Sequence, residues 1–161
     1  MIGGGHLRMS PTGTSTARAT CSDAAFTAHG RESGAELDGI YKFLYSKLVK
    51  DVVFVGSACD DLRSFPVEVR QRAGYQLYLV QVGLDPSDWK PMASVGSGCR
   101  EIRVRADTGA YCVLYVATIG DAVYVLHCFQ KKTQRTAKAD IGLATQRYRQ
   151  VTEMTRAKEA P

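Results

Sequence analysis

CREIRVRADTGAYCVLYVATIGDAVYVLHCFQKKTQRTAKADI, residues 99–141, holds three strand-like runs separated by two short turns. Arg100 to Ala106 alternates. Ile102, Val104 and Ala106 share one face, and Glu101, Arg103 and Arg105 the other, the period of a strand with one buried side. Ala110 to Thr118 and Ala122 to Phe129 are apolar on both faces, as central strands are. The connections Asp107-Thr108-Gly109-Ala110 and Ile119-Gly120-Asp121-Ala122 are short enough for tight hairpins.

Upstream, Val52 to Val55 is a short apolar run ended by Gly56, and it predicts a buried strand. Ser57-x-x-Asp60 reads as a capping box opening a short helix through Leu62 and Phe65. Pro66 suits the first turn of a second helix, where its missing N–H costs nothing. That helix is expected to reach about Val82, with Val69, Ala73, Leu77 and Val80 on one face and Gly83 as its stop. Residues 83–92, GLDPSDWKPM, read as a loop with two prolines. Downstream, Thr136 to about Met154 predicts a helix with Ile141, Ala144, Tyr148 and Val151 as its apolar stripe, weakened by Gly142 by about 1 kcal/mol. The expected order is β-α-α-β-β-β-α. This is an α+β domain over 51–155, with a mostly antiparallel four-stranded sheet, an N-terminal αα-hairpin and a C-terminal helix.

Residues 1–34 are rich in Gly, Ser, Thr and Ala and lack apolar periodicity; they read as disordered or as an over-extended translation start. Residues 35–49 form a candidate amphipathic helix, with Leu37, Ile40, Tyr41, Leu44 and Leu48 at helical spacing. It would pack on its own domain or dock a partner.

A chain of 161 residues fits one domain able to stabilise itself without metals or disulfides. The composition excludes a collagen, a cysteine-dense secreted scaffold and a wholly disordered chain. No apolar run is long enough for a membrane span, and the first residues lack the apolar core of a secretory signal. The expected location is the cytoplasm. The five cysteines form no CxxC pair, and His6, His29 and His127 complete no zinc pattern. They are expected to be reduced, with Cys112 and Cys128 as small apolar strand residues. No metal or cofactor is implied.

Charge location is more informative than the net +5. Residues 1–98 carry ten Lys/Arg and ten Asp/Glu, whereas residues 99–161 carry eleven and six. The whole excess lies in the last part of the chain, which suits a polyanion or an acidic partner. With two-residue loops at Thr108-Gly109 and Gly120-Asp121, Arg105 faces Cys112 and Arg103 faces Leu114. Leu114 then faces His127, Cys112 faces Phe129, and Ala110 faces Lys131. One sheet face would carry Arg103, Arg105, His127, Phe129 and Lys131: cations for phosphate and a ring to stack a base. Lys131, Lys132 and Arg135 lead into a helix N-terminus, whose free amides favour anions.

The stretch CREIRVRADTGAYCVLYVATIGDAVYVLHCFQKKTQRTAKADI resembles the phage-derived, HigB-like branch of the RelE/ParE toxin superfamily. FVGSACDDLRSFPVEVRQRAGYQLYLVQVGLDPSDWKPM, residues 54–92, is similar to the N-terminal half of the same domain. The resemblance covers about residues 51–153. It implies a toxin of a type II toxin–antitoxin pair that cleaves mRNA on the ribosome, partnered by a helix-turn-helix antitoxin and touching operator DNA only through it. It implies that Arg103 and Arg105 bind phosphate. Lys131, Lys132 and Arg135 would hold the backbone or stabilise the transition state. His127 would be an acid or base, unless it is a packed strand residue. Phe129 would stack a base, and Tyr111 would position RNA or stack a base, unless it is a core strand residue. The branch generally carries Arg where this chain has Cys112, and a thiol supplies no positive charge. Two alternatives follow: a catalytically impaired relative acting by binding antitoxin or nucleic acid, and a ParE-like gyrase inhibitor.

Overall fold

A computed structural model describes Leu44 and residues 48–160. Residues 1–34 and most of 35–49 lie outside the described residues. Leu44 and Leu48 are helical and largely exposed.

The described elements run β1 (Asp51–Phe54), α1 (Ala58–Arg63), α2 (Val67–Gln81), β2 (Trp89–Pro91), β3 (Cys99–Ala106), β4 (Gly109–Val116), β5 (Ala122–Lys131) and α3 (Lys138–Glu159). The fold is α+β as expected, but the sheet has five strands in the order β1-β5-β4-β3-β2. The extra strand, β2, lies where the sequence reads as loop. Three residues are too few for a periodic signal, and Pro91 is tolerated because β2 is an edge strand. The sheet is mixed: β1 runs parallel to β5, and the other three junctions are antiparallel.

The αα-hairpin forms where expected, with Val69, Ala73, Leu77 and Val80 buried. They meet Ile102, Val104, Val113, Tyr115, Val123 and Val125 on one face of the sheet. Helix α3 covers part of the other face, with Ala144 and Val151 against Leu114, Val116 and Leu126. Gly96 permits this docking: a Cβ there would lie 2.5 Å from the Tyr148 ring, whose hydroxyl donates to the Ser97 carbonyl at 2.9 Å.

The capping box is not formed. Ser57 makes no side-chain bond to the α1 amides. Its Oγ donates to Asp61 Oδ2 at 2.9 Å and accepts from Arg147 Nη2 at 2.8 Å. A tertiary guanidinium has taken the hydroxyl that local sequence assigns to the helix end.

Both hairpin registers differ from expectation, β3–β4 along its whole length and β4–β5 only on the turn side of a bulge. The β3–β4 loop is Asp107-Thr108, one residue earlier than expected, so Arg103 faces Cys112 and Arg105 faces Ala110. The partner moves by two residues, so each side chain keeps its face. At β4–β5 the strands part at Val116 and resume at Ala122. A bulge lies between Leu114 and Tyr115, which face His127 and Val125 and leave Leu126 without an opposite residue. The Leu114–His127, Cys112–Phe129 and Ala110–Lys131 pairs form as expected. The bulge lets Val123 and Val125 point toward α2 while Leu126 and His127 both turn to the α3 side.

Candidate functional site

The centre of the polar face is Glu101, fully buried on β3. A buried carboxylate persists only when paired. Lys131 Nζ donates to its Oε1 at 3.4 Å, Lys90 Nζ lies 3.6 Å from the same oxygen, and Thr136 Oγ1 donates to Oε2 at 2.8 Å. Strand pairing places two of these groups: β2 sets Lys90 opposite Glu101, and β5 carries Lys131. Thr136 comes from the segment between β5 and α3. Cys112, also fully buried, adjoins the cluster. Burial first, and then the Glu101 charge, pushes its thiol up to about 12. Cys112 is therefore neutral at physiological pH and a poor nucleophile.

Arg103 and Arg105 stand together at the outer edge of β3, both engaged by Asp88. Arg103 pairs with Asp88 Oδ1, and its backbone amide donates to the Asp88 carbonyl. Arg105 Nε lies 3.7 Å from Oδ2 and is mostly exposed. Beside them, Arg72 of α2 donates to the Arg105 carbonyl at 2.7 Å. A shallow pocket here is lined by Arg72, Gln76, Ser87, Asp88, Arg103 and Arg105.

His127 is enclosed. It is 8% exposed and stacks on Phe129 with centroids 5.2 Å apart. Its Nε2 is 3.0 Å from Asp140 Oδ1 at the start of α3, and its Nδ1 is 3.5 Å from Asp61 Oδ2 on α1. Arg147 reinforces the junction by donating to the Leu126 carbonyl at 2.8 Å. A ring held this way ties α1, β5 and α3 together.

The expected residues are thus distributed unequally. Arg103, Phe129, Lys131 and His127 share one face, with Arg105 at its rim. Lys132 and Arg135 are exposed in the following segment, with no ion pair to either among the described residues. Tyr111 is elsewhere and does not fit the expected RNA-stacking role. It is buried on the α2 side against Phe65, at 4.9 Å between ring centroids, because it alternates with Cys112 along β4. The sequence reading passed over Lys90, Asp88, Asp61, Asp140 and Arg147. Glu101 alone had a signal, as an acid set in phase with two arginines.

Among the described residues, no helix is long and apolar enough to cross a membrane. Residues 60–149, more than half of the chain, match the family model described as Phage derived protein Gp49-like (DUF891). No curated protein matches the chain.

Proposed function

The chain belongs to the Gp49-like phage-derived family, a RelE/toxin-like family, and from that premise we propose that it is the toxin of a type II toxin–antitoxin pair that cleaves mRNA on the translating ribosome. The observation that carries this reading is the grouping of Arg103 and Lys131 on one sheet face, Arg103 on part-exposed Asp88 and Lys131 on buried Glu101. Such a face suits a phosphodiester, whose charge increases when it is attacked. In the proposed reaction, the ribose 2′-OH loses its proton and its oxygen attacks the adjacent phosphorus. A 2′,3′-cyclic phosphate forms, the bond to the 5′ oxygen breaks, and that oxygen takes up a proton.

Arg103 and Lys131 would hold the non-bridging oxygens, Arg105, Lys132 and Arg135 the neighbouring backbone, and Phe129 a base. His127 enters as a positioning residue: with Asp140 and Asp61 it fixes β5 against both helices. A helix-turn-helix antitoxin would cover the cationic face and bring the pair to operator DNA.

Cys112 favours a second reading, a binding protein that cuts poorly. It is neutral and beside Glu101, where an arginine would add a transition-state cation, and such a charge is worth on the order of a hundredfold in rate. Mapping 5′ ends of a reporter mRNA on purified translating ribosomes separates the two. Cuts by the wild type that vanish in Arg103→Ala support the nuclease. Cuts only from Cys112→Arg support the impaired binder. Silence from all three overturns the nuclease reading.

A further inference from the structure

The acid–base count around Glu101 does not balance. One carboxylate, fully buried, receives two ammonium groups on the same oxygen, and its second oxygen is already taken by Thr136. One lysine is enough to neutralise it, so the cluster carries a formal surplus of one positive charge. The two lysines differ in access. Lys131 is 10% exposed and its contact is the shorter, whereas Lys90 is 35% exposed and sits on the edge strand β2. Removing Lys90 from Glu101 leaves the carboxylate with Lys131 and Thr136. Removing Lys131 would leave an ammonium group buried without its partner, which costs far more. The cluster is therefore built to release Lys90. Its stem is held by the Lys90–Glu101 register, beside neutral Cys112.

We propose that Lys90 is a second phosphate-binding cation of this face, parked on Glu101 in the free protein and transferred to an RNA phosphate on binding. The proposal rests on the nucleic-acid reading of the site and adds a residue to it. A backbone phosphate beside Arg103 and Lys131 offers Lys90 a fully charged, solvent-facing partner in place of a carboxylate it shares. Lys90 then supplies from β2 the charge that Cys112 on β4 lacks.

The test uses the full chain and a fluorescent single-stranded RNA, with affinity measured by anisotropy across a salt series. Lys90→Met keeps the aliphatic stem and removes the charge. It should weaken binding about tenfold. It should also flatten the slope of log affinity against log salt by about 0.7, the value for one lost phosphate contact on a single strand. Lys90→Arg should keep the wild-type slope. Lys158→Ala, at the far end of α3, should leave both quantities unchanged. Adding Cys112→Arg to Lys90→Met should restore the slope, which a merely structural role for Lys90 would not produce. Thermal melts of each variant confirm that it is folded at the assay temperature. If folded Lys90→Met binds with wild-type slope and affinity, the Lys90 assignment fails while the nucleic-acid reading stands. If the wild type itself has no salt-dependent affinity for the RNA, both fail.

Discussion

The two faces of the sheet are made by the same strands and differ in nearly everything else. Toward α2, Ile102, Val104, Val113, Val123 and Val125 form a continuous apolar layer with Val69, Ala73 and Leu77. Toward α3, the layer is apolar only at one end, where Leu114, Val116 and Leu126 meet Ala144 and Val151. It then gives way to Glu101, Arg103, Cys112, His127 and Lys131. On the α2 side, stability comes from non-directional burial. On the α3 side, the polar groups are held mainly by partners on other elements: Lys90 of β2 with Glu101 of β3, Glu101 with Lys131 of β5, and Ser57 at the start of α1 with Arg147 of α3. Cations held by carboxylates in this way are fixed in place, at the expense of some stability.

The largest expected effect tests the apolar face. Ile102→Ala should lower unfolding free energy by about 4 kcal/mol, because a fully buried branched side chain leaves a cavity beneath α2. Urea denaturation measures it, and a loss under 1 kcal/mol would mean that this face is not the main source of stability. Next, Arg103→Ala should cut cleavage by about a hundredfold, near 3 kcal/mol of transition-state stabilisation, with unfolding free energy nearly unchanged. The pair with Asp88 is part-exposed, and such pairs contribute little to stability. A melting loss as large as that of Ile102→Ala would remove the distinction between the faces.

Glu101→Gln should cost about 2 kcal/mol in urea denaturation, since Lys131 loses the charge that justifies its burial. It should also raise affinity for single-stranded RNA, because Lys90 and Lys131 are released. A drop in affinity would show that Glu101 positions the lysines rather than restraining them. The smallest effect is alkaline. Cys99 and Cys112 have thiols pushed up to about 12 by burial, from 9.0. The unfolded chain therefore releases these protons first, so stability is intact below about pH 9 and is lost as pH rises toward 12. Each thiol should contribute about 1 kcal/mol of loss between pH 9 and pH 10. Cys112→Val should remove one such share, measured as a shallower fall in the urea midpoint over that range.

Much of the architecture can be read from local pattern. The alternation of Arg100 to Ala106, the i, i+4 spacing of Val69, Ala73 and Leu77, and Gly83 after α2 each report on immediate neighbours, and each appears in the structure as expected. Strand β2 escaped because its three residues are held by pairing with Arg100, Glu101 and Ile102, not by any periodicity of their own. The Leu126 bulge escaped for a related reason. Its signal is a phase change between Val125 and His127, which does not show in a run with apolar residues on both faces.

The candidate site divides along the same line. Arg103, Lys131 and Phe129 could be placed on one face because strand residues two apart point the same way, and an even register shift leaves that true. Tyr111, whose RNA role came from the resemblance alone, alternates with Cys112 and so falls in the core on the α2 side. His127 on a strand looks like any other histidine. Its enclosure by Asp61 and Asp140 joins residues far apart in the chain.

By itself, the sequence determined the α+β class, the hairpin and C-terminal helices, the apolar stripes and the concentration of positive charge after residue 98. These depend on periodicity and composition, which act between near neighbours. Only the tertiary structure decided that Lys90 and Lys131 share one buried carboxylate, that Asp88 holds both edge arginines, and that His127 bridges two helices. Those choices rest on the cost of burying unpaired charge. That cost is fixed by which distant residues the packed sheet brings within a few ångströms.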